Sequence, residues 1–232
     1  IAVTAHARFR HGPLLRRVCF WGDFTVAVSE DIRCDLLRFC RLIKDRVLVI
    51  PNGIDVRLFF PPQAEDDGPY PSVDGLCVGF ASRMDADCSR GAELLCAIAP
   101  HLAKEFPHLC ITLAGGGTEL EKIRALAQKT NADVGHEVVR AVGWVEDMAA
   151  FWRAQEICVA VSRAAMEGAA TGCAVLLCGN EGYLGPLCKA NAERALESNF
   201  CCRGEENATA ERLLRDLLPL LSDASLRRRA AE

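Results

Sequence analysis

The chain has 232 residues, of which 50% are hydrophobic and 25% are charged, and its formal net charge is −4. These values are typical of a globular protein with one large core or more than one domain. The weak negative charge argues against a general nucleic-acid or membrane-surface binder, although charge can still be locally patterned. No apolar run approaches the roughly 18 residues that span a bilayer, and the first residues do not form a cleavable signal. We therefore expect a cytoplasmic protein without a nucleic-acid partner.

The 13 cysteines are scattered singly through apolar segments. The adjacent Cys201 and Cys202 are the one close pair, and no C-x-x-C occurs. Disulfide frameworks and metal sites use different spacings. We expect most of these cysteines to be small buried hydrophobic residues in a reducing compartment.

Short apolar runs rich in β-branched residues alternate with helical patterns along the chain. The strand candidates, in order, are IAVTA, FTVAVS, RVLVIP, LCVGFA, LCITLAG, EVVRAVG, ICVAV and CAVLLC. Between them, apolar residues at helical spacing predict helices over 32–42, 92–106 and 119–129. Apolar strands joined by helices predict an α/β fold with a doubly wound parallel sheet.

A break in composition divides this alternation. Residues 60–75 contain four prolines and four acidic residues without periodicity, so we expect an exposed linker. The three strand candidates before it make an incomplete sheet. We interpret them as the partial remnant of a second α/β unit whose earlier strands are missing, with a small capping or strand-swapped unit as the alternative. The predicted parts are a remnant at 1–59, a linker at 60–75, a Rossmann-like domain at 76–200 and a helical segment at 201–232.

Ligands of open parallel sheets bind where the carboxyl ends of strands lead into helix N-termini. The triplet Gly115, Gly116 and Gly117 follows a strand there, and it either lets the backbone approach a ligand or simply makes the turn. Thr118 is placed to cap the next helix. The loop is neither a P-loop nor a dinucleotide fingerprint, because G-K-[ST] and G-x-G-x-x-G are both absent from it.

Arg83 stands just past another strand. Its planar guanidinium suits a bidentate contact with phosphate. The alternative is a surface ion pair with Asp85 or Asp87.

The segment SRAAMEGAATG, residues 162–172, carries a single acidic residue, Glu167, among small residues. We expect a turn and a short helix whose free N–H groups near Ala164 and Ala165 suit a diphosphate. A carboxylate one turn further in would repel phosphate but accept bonds from sugar hydroxyls, as an acidic residue does for ribose in dinucleotide sites. The pattern predicts a nucleotide site, and the alternative is a buried helix with one surface Glu.

These segments resemble a known family. VIPNGID, ASRMD, LAGGGTELEKIRALA, AVGWVEDMAAFWRAQ and the block around Glu167 are similar, in order and spacing, to the C-terminal half of GT-B-type glycosyltransferases of the retaining group 4, the glycosyl transferases group 1. The similarity runs from about residue 24 to residue 185. It implies a Rossmann-like C-terminal domain that binds a nucleotide-sugar donor, and an N-terminal acceptor domain that ends near residue 50.

The resemblance also implies roles for single residues. Arg83 would neutralise the donor diphosphate, with Arg90 in place of a family lysine, and the three glycines would bring the backbone close to it. Trp144 and Val145 would flank the base, and Glu167 would hold the ribose. His6 would face the cleft between domains, with a local hydrogen bond as the alternative.

A second position, besides that of Arg90, departs from the family pattern. Group 4 enzymes carry a second Glu eight residues before the ribose Glu, where this chain has Val159. The contacts to the transferred sugar are therefore expected from Asn180, Glu181 and Gly182, with their absence from this chain as the alternative. The sequence assigns no catalytic residue.

The resemblance implies transfer of a sugar from a UDP-, GDP- or ADP-sugar to a glycan or lipid-linked acceptor in cell-envelope synthesis. It implies no metal and no cofactor. The missing N-terminal domain would supply any peripheral membrane contact, and the basic cluster from Arg8 to Arg17 suits an anionic partner or a solvated helix face. We expect this chain alone to bind its donor without useful turnover. The alternative function is a catalytically degenerate nucleotide-sugar-binding module with a regulatory or scaffolding role.

Overall fold

The structure is a computed structural model that describes residues 1–9, 12, 19–40, 42–62 and 76–231. The chain divides into two compact units: residues 1–53 with 189–200, and residues 54–188 with 201–232. These units differ from the predicted domains, because the boundary lies after Gly53 and residues 189–200 group with the first unit. Most of the predicted linker, from residue 63 to residue 75, lies outside the described residues.

The first unit contains a small parallel sheet. Its elements are β1 (Ala2–Ala5), β2 (Phe24–Ala27), α1 (Glu30–Phe39) and β3 (Val47–Val49), with a 3₁₀ turn at Lys44–Arg46. The strands lie in the order β1-β2-β3. Ala5, Ala27 and Val47 pack with Ile32 and Leu36 of α1, which confirms the predicted α/β pattern in this part. Of the basic cluster, Arg8 pairs with Asp31 and Asp35, and most of the remainder falls outside the described residues.

The second unit contains a six-stranded sheet covered by helices. Its elements are β4 (Cys77–Ala81), α2 (Arg90–Glu105), β5 (Cys110–Ala114), α3 (Leu120–Val134), β6 (Val139–Gly143), α4 (Met148–Arg153), β7 (Ile157–Ala160), α5 (Ser162–Ala170), β8 (Ala174–Gly179), β9 (Gly182–Pro186), α7 (Ala210–Ser222) and α8 (Ala224–Ala231), while α6 (Ala192–Glu197) belongs to the first unit. The strand order is β6-β5-β4-β7-β8-β9. Strands β4 to β8 are parallel, as predicted.

The central strands are buried along their whole length, because helices cover both faces of the sheet. Phe80, Ile111, Ile157 and Leu176 share one apolar core with Leu95 of α2. Eight of the 13 cysteines are buried, which confirms their interpretation as small core residues. Among the described residues, none of the helices combines the length and the apolarity that a bilayer crossing requires.

One strand was missed by the sequence analysis. The segment Gly182–Pro186 is absent from the strand candidates, but it forms β9 and runs antiparallel to β8. The physical reason is the short connection: Asn180 and Glu181 alone separate the paired Gly179 and Gly182, and a two-residue loop closes a hairpin.

Candidate functional site

The loops after β4 and β5 meet at the carboxyl edge of the sheet. We call these loops, residues 82–89 and 115–119, the rim. The Met84 N–H donates to the Gly116 carbonyl at 2.9 Å, and the Glu119 N–H donates to the Met84 carbonyl at 2.6 Å. The Gly115 N–H donates to the carbonyl of Gly143, at the end of β6, at 2.7 Å. Backbone hydrogen bonds therefore preform the rim.

The glycine triplet is explained largely by this packing. Gly115 has φ +135°, and a Cβ there would overlap the Ser82 carbonyl oxygen. Gly117 has φ +156°, and a Cβ there would lie 2.5 Å from the Met84 carbonyl group. A Cβ on Gly116 would meet nothing within 4 Å. Two of the three glycines are thus needed by the rim itself, and Gly116 borders open space. The expectation that the triplet brings the backbone close to a ligand stays a prediction.

Thr118 does not cap α3, which corrects an expectation. Its N–H and its hydroxyl donate to Oδ1 of Asp85, at 2.9 and 3.1 Å, and Glu119 takes the capping position. These two hydrogen bonds hold the pKa of Asp85 below its usual range. The carboxylate of Asp85, in the neighbouring loop, binds the Thr118 hydroxyl that would otherwise cap the helix. Because Asp85 is 33 residues away in sequence, the residues around Thr118 give no sign of this competition.

Arg83 makes the surface ion pairs that were set out as the alternative. Its guanidinium lies 2.9 Å from Asp85 and 3.6 Å from Asp87, and its side chain is 67% exposed. A phosphate would have to replace these partners. Within the described part of the chain, no group of three or more His, Cys, Asp or Glu residues is placed to hold a metal ion.

Asn180 joins the β8–β9 hairpin to the rim. Its Oδ1 accepts the backbone N–H of Arg90 at 2.9 Å, and its Nδ2 donates to the Ala86 carbonyl at 3.0 Å. Because Arg90 is the first residue of α2, Asn180 caps this helix from a distant part of the chain. The guanidinium of Arg90 lies 3.7 Å from Glu93. The amide of Asn180, expected to contact the sugar, thus has protein partners on both sides.

The other two predicted sugar contacts also pack against protein. Glu181 pairs at 3.2 Å with Arg203, whose side chain is almost fully buried. Gly182 has φ +157°, and a Cβ there would overlap the Cys202 carbonyl oxygen. Sequence reasoning missed Arg203, because it lies 22 residues from its partner and no local motif marks it.

The two residues predicted to flank the base follow β6. Trp144 is 82% exposed, whereas Val145 is buried. The Trp144 ring is thus open to a planar partner beside the rim. In the first unit, His6 follows β1 and is exposed, and its cleft role stays a prediction.

Helix α5 begins directly after β7. Its first residue, Ser162, has φ +55°, a conformation that is uncommon outside glycine. The N–H of Ala165 donates to the Val161 carbonyl at 3.4 Å, so Ala165 does not supply the free N–H that was predicted. Arg163 and Ala164 precede this first helical bond, and their N–H groups have no acceptor within the helix.

Glu167 lies on the inner side of α5 and is only 7% exposed. The alternative interpretation of a surface Glu is therefore wrong. We call Glu167, Arg163, Trp152 and Cys158 the Glu167 cluster. Burial raises the pKa of Glu167, while Arg163, with Nη2 at 3.2 Å from Oε1, and the indole N–H of Trp152 act in the opposite direction. The i,i+4 spacing of Arg163 and Glu167 is a signal that the sequence contained.

Comparison with known proteins identifies the family of this chain. The model of the family described as glycosyl transferases group 1 matches residues 75–215, more than half of the chain. A search of curated proteins found no match.

Solved structures with low sequence identity share the fold. A glycosyltransferase of Rickettsia africae is 16% identical, with a TM-score of 0.73 over 99% of this chain and 63% of its own. Anabaena HepE, solved with UDP and glucose, is 16% identical, with a TM-score of 0.68 over 100% of this chain and 64% of its own. The C-terminal domain of LpcC from Francisella tularensis, a group 1 family protein, is 19% identical, with a TM-score of 0.56 over 78% and 93%. The chain thus spans less than two thirds of the first two structures. With the family model matched across the six-stranded sheet, this chain belongs to the glycosyl transferases group 1 family.

Proposed function

We propose that this chain is the donor-binding part of a glycosyltransferase and that it binds a nucleoside-diphosphate sugar at the carboxyl edge of the six-stranded sheet. The observation that carries the proposal is the buried carboxylate of Glu167, one turn into α5. Burying a carboxylate opposes its ionisation, so folding alone gives no reason to keep one here. Perturbed carboxylates in clefts are characteristic of functional sites.

The surrounding groups suit the separate parts of such a donor. The start of α5 presents N–H groups to an anion, and Gly116 borders open space on the rim. Glu167 would accept hydrogen bonds from the ribose hydroxyls, and the exposed ring of Trp144 would stack on the base. The Arg83 guanidinium would leave its ion pairs with Asp85 and Asp87 and bind the diphosphate instead.

Among the possible donors, we rank UDP-sugars first. Anabaena HepE, which shares this fold, was solved with UDP and glucose, and GDP- and ADP-sugars are the competitors to test. In the whole protein, the sugar would pass with retention to a glycan or lipid-linked acceptor of the cell envelope, in the cytoplasm, without a metal. We propose that this chain alone lacks useful turnover, because it spans less than two thirds of the glycosyltransferase of Rickettsia africae.

Calorimetric titration of the 232-residue chain with UDP, UDP-glucose, GDP-mannose and ADP-glucose tests the donor site. We expect at least one nucleotide to bind, and Glu167→Gln to weaken its binding about ten-fold or more, because a hydrogen bond to a charged group contributes about 1.5–3 kcal/mol. Glu137→Gln is the matched control, because Glu137 is exposed and precedes the amino end of β6. The proposal fails if no nucleotide binds, or if both variants weaken binding equally.

A further inference from the structure

Arg203 is a buried charge that the proposed donor site does not use. Its side chain is only 5% exposed, and its Nη1 lies 3.2 Å from Oε2 of Glu181. The Glu181 side chain is 53% exposed, so its carboxylate reaches the guanidinium from the solvent side. A buried charge is costly unless it is paired, because it has lost its hydration. The place that the Glu181 carboxylate occupies is therefore a carboxylate site that is open to solvent.

The backbone around Arg203 is fixed by the β8–β9 hairpin. Gly182, the first residue of β9, lies so close to this segment that a Cβ would overlap the Cys202 carbonyl oxygen. The Tyr183 N–H donates to the Glu206 carbonyl at 2.8 Å. Cys202 itself has φ +59°, a conformation that is uncommon outside glycine. These contacts on both sides of Arg203 set the position of its backbone, so the buried guanidinium is preorganised before any ligand arrives.

The turn that carries Glu181 lies at the carboxyl edge of the sheet, beside both the rim and the start of α5. Its other residue, Asn180, is docked on the rim through the Arg90 N–H. At the end of β8, a Cβ on Gly179 would lie 2.8 Å from Cγ1 of Val161, the residue that directly precedes α5. A donor whose phosphates bind at the start of α5 therefore has its sugar, the next group along the molecule, beside this turn.

The guanidinium of Arg203 favours a carboxylate over the hydroxyl groups of a neutral sugar. Its planar N–H donors match a carboxylate in two parallel, charge-assisted hydrogen bonds. A neutral sugar would have to replace the charged contact with Glu181 by weaker, neutral ones. A sugar that carries a carboxylate replaces like with like, while the half-exposed Glu181 turns into water at little cost.

We propose that Arg203 is a specificity-determining residue and that its guanidinium binds the carboxylate of a hexuronic acid, which is the sugar of the nucleoside-diphosphate donor. This inference rests on the proposed donor site, and it adds the chemical class of the transferred sugar. The diphosphate stays at the start of α5 and on the rim, and the C6 carboxylate of the sugar takes the place of the Glu181 carboxylate on Arg203. Glu181 thus stands in for the carboxylate of the donor until the donor binds.

The test compares donors that differ only at C6 of the sugar. UDP-glucose and UDP-glucuronic acid form one pair, and UDP-galactose and UDP-galacturonic acid form a second pair with the other configuration at C4. Calorimetric titration of the 232-residue chain with these donors and with UDP measures each Kd at one pH and one salt concentration. The variants are Arg203→Gln and Glu181→Gln. Arg212→Gln is the matched control, because Arg212 also pairs with a carboxylate of this segment, that of Glu206.

We expect the wild type to bind one uronic-acid donor about ten-fold more tightly than its neutral partner, because charge-assisted hydrogen bonds to the buried guanidinium are gained. Arg203→Gln should remove this preference and leave the affinity for UDP unchanged, because UDP carries no sugar. Glu181→Gln should widen the preference about ten-fold or more, because the competing carboxylate is gone while the buried charge remains. Arg212→Gln should keep the preference of the wild type.

The opposite effects of the two variants distinguish a sugar site from a structural ion pair. If the wild type binds UDP but prefers neither uronic-acid donor, the inference is overturned and the proposed function stands. The inference also fails if Arg203→Gln weakens UDP and the preferred donor equally, because Arg203 then acts through the fold or the diphosphate. If the wild type binds no nucleotide, the proposed function fails and the inference falls with it. If Arg203→Gln does not fold, Glu181→Gln decides, because a preference that narrows contradicts the exchange of carboxylates.

Discussion

The rim and the Glu167 cluster lie at the same edge of one sheet, but they are held in opposite ways. The rim carries exposed charges, and its backbone and side chains are joined by several hydrogen bonds of normal length. The Glu167 cluster buries a carboxylate whose ion-pair partner is an exposed arginine, and it contains a buried indole N–H without a hydrogen-bond partner of normal geometry. Backbone packing and hydrogen bonds give a structural reason for Gly115, Gly117 and Thr118 of the rim. Folding does not explain why Glu167 is acidic, and this is the stronger reason to assign a ligand there.

The largest expected effect concerns the backbone of the rim. Gly115→Ala should lower the free energy of unfolding by about 3 kcal/mol, because the residue has a positive φ and a Cβ would overlap the Ser82 carbonyl oxygen. Gly116→Ala, where a Cβ meets open space, should change it by less than about 0.5 kcal/mol. Urea unfolding measures both. Equal losses would show that the rim is not set by this close approach.

A smaller effect is expected where the hairpin joins the rim. Asn180→Ala should cost about 1–2 kcal/mol, because the Arg90 N–H loses its cap and the Ala86 carbonyl loses its donor. Asn180→Asp keeps the acceptor and should lose about half as much. Thermal unfolding measures the series. If Asn180→Ala leaves stability unchanged but abolishes discrimination between donor sugars, the residue belongs to the ligand rather than to the rim.

The third prediction concerns how the free energy of unfolding depends on pH. Glu167 and Asp85, at the same edge of the sheet, should contribute with opposite signs. Because the pKa of Glu167 is raised by burial, its favourable contribution to stability is full below the ordinary value of 4.5 and is lost as pH rises through the raised value. Glu167→Gln should therefore be about 0.5–1 kcal/mol more stable than wild type near neutral pH, and this advantage should vanish in acid.

Asp85 has the opposite sign. Its pKa is lowered, chiefly by the Thr118 N–H, so its contribution to stability is present above 3.8 and is lost as pH falls. Asp85→Asn should flatten the acid side of the stability profile. Urea unfolding of both variants and the wild type at a series of pH values measures how each carboxylate changes the free energy of unfolding with pH. If the two contributions have the same sign, the contrast between the rim and the Glu167 cluster is wrong.

The smallest expected effect on stability is at the surface of the rim. Arg83→Ala should change the free energy of unfolding by less than about 0.5 kcal/mol, because its ion pairs are exposed, yet it should weaken nucleotide binding. Arg57→Ala is the matched control, since Arg57 forms a similar exposed pair with Asp55 at 3.1 Å. Denaturant unfolding and nucleotide titration of both variants check this. Equal binding in both would exclude Arg83 from the donor site.

Part of the fold could be predicted from local patterns, and part could not. The apolar runs of β4, β7 and β8 are buried on both faces. Continuous apolar runs of this kind predict a parallel sheet from the sequence alone. The strand β9 could not be recognised, because glycine-rich Gly182–Pro186 has no apolar alternation and is defined by pairing with β8. Likewise, Thr118 looked like a helix cap because its competing acceptor, Asp85, is 33 residues away.

The sequence by itself determined the α/β alternation, the family resemblance and the isolation of one acidic residue in SRAAMEGAATG. These features depend on periodicity and on short spacings, which a linear chain contains in full. Only the tertiary structure decided that Gly115 and Gly117 serve the rim, that Asn180 caps a distant helix, and that Glu167 is buried beside Trp152. These features depend on which atoms meet across separate elements and on how much water they exclude, and neither quantity is a property of a local stretch of residues.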